Sequence, residues 1–335
     1  MRWIWLLFAV GCAPKMNIEV LQPESKTLPE HIKKVATLDR GATGNRITRD
    51  AAEEAASAMT TGVSSSPRFE VTELTDEQAH NFNALERTLA FGVVDAICMR
   101  VGAQAVVALE AIETYSDIAE EASETTYTDE KGKEHITVTW TATRTTEVLS
   151  DWAIYDADND AMVDETSLNT VASWSAEGET AVQARQGLPD MNETILDLAY
   201  EAGEEYARQI APNWIRVSRT YYPTGNTRMA NAKSAVLEGD LEAAAQIWKK
   251  VAGANDPKLA AKANYNLGIA WEGRGNLRQA ISHVAAADRV LSNGRTSTYL
   301  ALLKQRKAEK KTLKEQMAPV RGGDAPQSAP RQDAP

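Results

Sequence analysis

The chain is 335 residues long, 43% hydrophobic and 25% charged, with a formal net charge of −11. That length suits about two domains with ordinary cores. The acidic balance excludes nonspecific binding of DNA or RNA, which needs a dense basic surface, so no nucleic-acid partner is expected.

The N-terminus begins with the basic Arg2 and the apolar run Trp3–Val10, and small residues lead to Cys12. A charged start, a short apolar core and small residues make an export signal. A membrane-spanning helix needs about 20 apolar residues, far more than Trp3–Val10 supplies. The stretch Ala9-Val10-Gly11-Cys12 resembles the bacterial lipobox, in which a small residue precedes an acylated cysteine. The resemblance implies cleavage of residues 1–11, acylation at Cys12, and a lipidated tether over residues 12–16. Several acyl chains together hold a protein at a membrane where one chain holds it only marginally. In that family an aspartate after the cysteine signals inner-membrane retention. Ala13 stands there, which implies anchoring in the outer membrane, facing the periplasm. After cleavage Cys98 would be the only cysteine besides Cys12, so no intrachain disulfide is expected; its helical context reads as a small buried hydrophobe.

A first domain is expected over residues 17–222. Lys33–Asp39 reads as a strand, and Ile47, Ala51, Ala55, Ala58 and Met59 recur at helical spacing. Arg68–Thr72 reads as a second strand. Thr75 and Gln78 form a capping-box pair that starts a helical region, and Gly102 closes it. Gln104–Ile112 is a buried strand. This alternation predicts an α/β layer. In the next segment Ile136, Val138, Trp140 and Ala142 alternate with threonines, a half-buried strand. Glu130–Lys133 is the turn before it. Trp152–Tyr155 and Met162–Asp164 flank the polar turn Asp156–Asp160, Leu168–Ser175 is one more strand, and together they predict an antiparallel meander. Asp190 and Glu193 open a helix with the apolar stripe Ile195, Leu198, Ala202, Tyr206 and Ile210, and Pro212 ends it. Trp214–Val217 closes the domain, and Pro223–Asn226 is a linker.

The order of elements, and the phrase Val101–Val107, resemble the periplasmic α/β domain of curli-secretion and penicillin-binding-protein-activator lipoproteins. Leu28–Ala36 and Ser218–Pro223 resemble an uncharacterised bacterial lipoprotein family, a domain of unknown function (6340-like) with C-terminal helical repeats. These resemblances imply a fold and a location, and no activity.

The second domain is expected over residues 228–316. Leu267, Gly268 and Trp271 are followed by Gly275, Ala280, Val284 and Ala287, and Gly239, Ala244, Trp248 and Val251 repeat the second half of that pattern. The spacings resemble tetratricopeptide repeats, whose period is about 34 residues. Small residues there let two helices approach, and Trp248, Leu267 and Trp271 fill the gap beside Gly268, Ala280 and Ala287. Such arrays bind partner proteins. Tyr265 and Ile269 replace the polar residues of a carboxylate clamp, so none is expected. A last helix, Thr296–Met317, carries Lys304, Arg306, Lys307, Lys310, Lys311 and Lys314 on a face read as solvated. Residues 317–335 read as a disordered tail.

No catalytic constellation emerges. Asp156, Asp158 and Asp160 have calcium-loop spacing, but Ala161 and Ser167 stand where that loop needs glycine and glutamate. The histidines (His31, His80, His135 and His283) have no mutual zinc spacing, and no metal or other cofactor is expected. Gly41–Arg46 lacks the lysine of a phosphate loop. The expected class is α+β: an α/β layer domain with a meander, then an all-α tetratricopeptide-like module. The expected role is a non-catalytic interaction scaffold, held at the membrane by its lipid and bound to another envelope protein. The alternatives are an oligomeric secretion-channel component and an envelope hydrolase or ligand-binding domain.

Overall fold

The computed structural model describes residues 14–41, 44–74 and 88–317. Cys12, the Thr75/Gln78 capping box, His80 and the tail after residue 317 lie outside them. The chain divides into two compact units: a sheet unit over Glu24–Asn213, and a helical unit over Trp214–Glu315 together with the N-terminal stretch that ends at Pro23. It is a sheet-rich N-terminal region followed by a helical one, of the α+β class.

In the sheet unit the elements are β2 (Lys34–Asp39), α1 (Arg46–Ser64), β3 (Glu70–Glu73), α2 (Phe91–Val101), β4 (Ala105–Thr128), β5 (Glu134–Asp156), β6 (Ala161–Gly178), α3 (Ala181–Gln186) and α4 (Met191–Ile210). The sheet runs in the order β3-β2-β4-β5-β6. The first three strands are parallel, with Val35 beside both Val71 and Ala105; β5 and β6 run antiparallel. Period-two alternation sorts neighbouring residues onto opposite faces. Val107, Leu109, Trp152 and Ile154 pack under α1 and α4, while Val106, Ala108, Ala153 and Tyr155 pack under α2.

Small residues set the distance between α1 and α4. A Cβ on Gly203 would lie 2.0 Å from the Ala55 carbonyl oxygen, and one on Gly62 would lie 2.6 Å from the Ala207 Cβ. The expected caps are present: Asp190 accepts from the Asn192 and Glu193 N–H groups, and Gly102 ends α2 in the left-handed region at φ 66°.

The meander differs from its expectation in length. The short strands expected at Gln104–Ile112, Trp152–Tyr155, Met162–Asp164 and Leu168–Ser175 are parts of three continuous strands of 24, 23 and 18 residues. Beyond Glu113 the side chains of β4 are mostly polar, so apolar periodicity stops while backbone pairing continues in register to Thr128↔Glu134. The turn falls where expected: the Asp129 carboxylate accepts from the Lys131 and Lys133 N–H groups, and Gly132 takes φ 79°.

The helical unit contains β1 (Lys15–Gln22) and most of β7 (Asn213–Thr220), paired as a two-stranded sheet, and the helices α5 (Thr227–Leu237), α6 (Leu241–Val251), α7 (Pro257–Gly273), α8 (Leu277–Leu291) and α9 (Gly294–Gln316). Residues 15 and 16, read as tether, start β1. Met16, Ile18 and Val20 alternate inward and join the core of α5–α9. The compact sheet unit is thus shorter than the segment 17–222 expected as a domain, because both flanking strands bury their apolar faces against the helices.

Candidate functional site

Of the predicted site residues, Cys12 lies outside the described residues, and the six packing residues all fall in the helical unit. Trp248, Leu267, Ala280 and Ala287 are buried in its core, and Trp271 packs half-buried at its margin. Gly268 sits where α7 meets α8: a Cβ there would lie 2.2 Å from a Val284 methyl and 3.3 Å from the Ala280 carbonyl. The small-residue seam therefore joins α7 to α8.

Two polar devices in this unit escaped the sequence reading. Asn266, fully buried, accepts from the Tyr222 N–H at 2.8 Å and donates to the Tyr222 carbonyl at 2.7 Å, so the chain entering the expected linker is clamped. Glu272 is the second. Arg219 reaches it through Nε and Nη2, both at 2.9 Å, Tyr299 donates at 2.6 Å, and Arg306 adds a fourth bond. Burial raises the Glu272 pKa, but the bonds from Arg219 and Tyr299 and the charges of Arg219 and Arg306 outweigh it, and the carboxyl titrates below its ordinary range. Arg306 is thereby withdrawn from the basic face read as solvated, and Lys310 donates to the Gly275 carbonyl.

The aspartate-rich turn joins β5 to β6 and has a partner distant in sequence. His31 Nε2 lies 3.0 Å from Asp156 Oδ1 and 3.9 Å from Asp158 Oδ2. These three ligand-type atoms lie within 4.8 Å of one another. Asp156 is buried, and both its oxygens are engaged: Oδ1 by His31 and the Asp158 N–H, Oδ2 by Asn159 at 2.8 Å. The cluster pins the segment before β2 to the turn. Cys98 is free and 4% exposed; burial, aided by Asp95, Asp158 and Asp156, pushes its thiol up to about 11, so it stays protonated. At the segment read against a phosphate loop, Asn45 caps α1 by accepting from the Thr48 N–H.

The strands β4, β5 and β6 form a blade whose outer half is largely exposed. At about 3.4 Å per residue β4 alone runs roughly 80 Å. One face is a polar ladder: Thr143 bonds Ser175 at 2.9 Å, Thr145 bonds Ser173 at 3.0 Å, and Asn169 bonds Glu147 at 2.6 Å. The other face is covered by α3 and α4 near its base. Towards the tip it carries Ile136 at 66% and Val138 at 39% exposure, while Tyr127 stacks on His135 on the opposite face beside the turn. Among the described residues no helix is long and apolar enough to cross a membrane.

Fold and surface together define a two-unit α+β protein with an exposed antiparallel blade. Residues 17–222 match the family model described as a domain of unknown function (DUF8603), and the chain belongs to that family. Residues 230–305, within the helical unit, match a second model, a domain of unknown function (DUF6340). Of the two phrases that carry the 6340-like resemblance, Leu28–Ala36 lies within the DUF8603 segment and Ser218–Pro223 spans its C-terminal end. No curated protein matches the chain. Solved structures similar to it include the dodecamer of a PelC point variant from Paraburkholderia phytofirmans, at 13% identity, covering 56% of this chain and 96% of that one, with a TM-score of 0.26. A PelC dodecamer from the same organism in another crystal form covers 58% and 98% at 13% identity, with a TM-score of 0.25. Likenesses at these TM-scores have no bearing on what this chain does.

Proposed function

We propose that this protein is a non-catalytic, lipid-anchored interaction protein of the bacterial envelope. Cys12 holds it to the outer membrane on the periplasmic side, and the blade meets another envelope protein. The observation that carries the reading is the far half of the β4–β5 hairpin. It is ordered in register to its turn, yet beyond the helices that cover its base it leaves Ile136 and Val138 in water. Ordering backbone costs about 1–2 kcal/mol per residue, and exposed apolar stripes mark interaction sites. A partner that covers the stripe supplies the missing burial.

The charged start, the apolar run and Ala9-Val10-Gly11-Cys12 support the anchor. The close seam of Gly268 against α8 supports reading the helical unit as tetratricopeptide-like hairpins, a second surface for a protein partner. A lipid-facing hairpin, as in a secretion channel, needs one continuous apolar face. Here Glu113, Asp117 and Glu121 stand on one face of β4, and Glu120 and Glu124 on the other, which favours a blade in water.

A photo-crosslinking residue placed at Ile136 in cells should yield a discrete adduct with one other envelope protein, lost in Val138→Glu. Adducts only with lipid, or none at all, would contradict the reading. Adducts with a second copy of this chain would favour the oligomeric alternative.

A further inference from the structure

A cleft of about 470 Å³ opens on the helix-covered face of the sheet unit, between the β4–β5 pair and the start of α4; it is lined by Ser116, Ile118, Arg144, Arg185 and Met191 and by the acidic Asp117 and Glu120. Its two arginines differ. Arg185 is neutralised by Glu120, with Nε 2.6 Å from the carboxylate. Arg144 is half-buried and donates one hydrogen bond, from Nη1 to the Ser116 hydroxyl at 3.2 Å. Its Nε has no partner, and among the described residues no carboxylate forms an ion pair with it.

A guanidinium partly removed from water without a counter-charge is costly, and an orphaned buried N–H adds to the cost. The surroundings nonetheless hold it in place. Ser116 bonds Thr146 at 3.1 Å, Thr146 bonds Thr194 at 3.2 Å, and Thr194 donates to the Met191 carbonyl at 2.8 Å. Thr146 and Thr194 are both buried. This chain of hydroxyls runs from the first turn of α4 to the arginine and fixes the Ser116 oxygen that receives it. A fixed, under-partnered guanidinium at a cleft wall is the standard means of holding a planar carboxylate, which accepts its parallel N–H groups. Ile118 and Met191 give the same cleft an apolar wall.

We propose that this cleft binds a carboxylate carried on a short apolar stem, with Arg144 as its anchor and the stem against Ile118 and Met191. The carboxylate belongs either to a free small acid or to the C-terminus of a peptide. Binding here is independent of the partner proposed for the blade tip.

Calorimetric titration of the mature chain tests it with four probes: isovalerate as the free acid, acetyl-alanyl-leucine as the peptide terminus, the amide of that peptide, and inorganic phosphate. The two carboxylates should bind saturably and the amide should not, and the tighter of the two identifies the source. Arg144→Gln should weaken binding about tenfold or more, a loss of roughly 1.4 kcal/mol, with Arg144→Lys intermediate because it keeps the charge and loses the fork. Arg144→Gln keeps a polar side chain, and an unchanged circular dichroism spectrum would establish that it folds. Should it fail to fold, protection of Arg144 from phenylglyoxal by the acid probes in the wild type gives the same answer. Absence of saturable binding by both carboxylates, equal binding of the amide, preference for phosphate, or an affinity indifferent to Arg144→Gln would each overturn the proposal.

Discussion

In the sheet unit Glu24 meets one guanidinium, that of Arg68, and its Oε2 has no hydrogen-bond partner; in the helical unit Glu272 takes donors from Arg219, Arg306 and Tyr299. Both side chains are fully buried. Burial pushes the Glu24 carboxyl up to about 7, against the charge and bond of Arg68 and the Leu28 N–H. For Glu272 the same burial is outweighed, and its pKa falls. Burial alone therefore does not set the sign; the supply of donors does. The helical unit uses its acid as a charged hub that joins β7, α7 and α9, while the sheet unit holds an acid that readily takes up a proton.

The largest effect should come from removing the hub. Glu272→Ala leaves Arg219 and Arg306 facing a buried void and should cost the helical unit about 3–5 kcal/mol. In a calorimetric scan the transition of that unit should fall and that of the sheet unit should hold. Next are the two glycine seams. Gly203→Ala should cost the sheet unit about 1–3 kcal/mol or more, because its methyl meets the Ala55 backbone. Gly268→Ala should cost the helical unit less, because its methyl meets the Val284 side chain, which can shift. A reversed order in urea titrations would show that the α7–α8 seam is the more rigid.

The pH responses sharpen the contrast further. Glu24 has a folded pKa above its ordinary value of 4.5, so between about 4.5 and 7 the folded state binds a proton that the unfolded chain does not. Its contribution is therefore present at pH 4 and lost as pH rises through 7. Glu272, depressed below 4.5, contributes above that pH and loses its contribution as pH falls through its folded pKa. The difference between wild type and Glu24→Gln, measured at pH 5 and pH 8, isolates the first effect: the variant should gain on the wild type at pH 8. An identical difference at both pH values would contradict the assignment. One pKa unit is worth about 1.4 kcal/mol, so a shift from 4.5 to about 7 should change that difference by roughly 2–3 kcal/mol between pH 5 and pH 8.

Legibility followed the range of the physical signal. The seam of Gly268, Ala280 and Ala287 was readable because helical spacing is local. The alternation of Met16, Ile18 and Val20 is equally local, but Met16 falls in the expected tether and no strand is expected at Ile18 and Val20. Strand lengths in the blade were under-read because the outer half of β4 and the Glu165–Ser167 stretch of β6 are mostly polar, and only backbone pairing continues there. His31 with Asp156, and Arg144 with Thr194, unite residues that no periodicity connects. Glu272 gave no sign of its role, since one acid in a helix reads as surface until two arginines are seen around it. Cys12 is the converse case, a site carried by sequence pattern alone.

The anchor is the claim on which placement in the envelope depends. Feeding labelled palmitate to cells that express wild type or Cys12→Ala, followed by membrane fractionation, tests it directly. The wild type should carry label, lack residues 1–11 and pellet with outer membranes, while Cys12→Ala should carry none and leave that fraction. Unlabelled wild-type protein in the cytosol, with its N-terminus intact, would contradict the account.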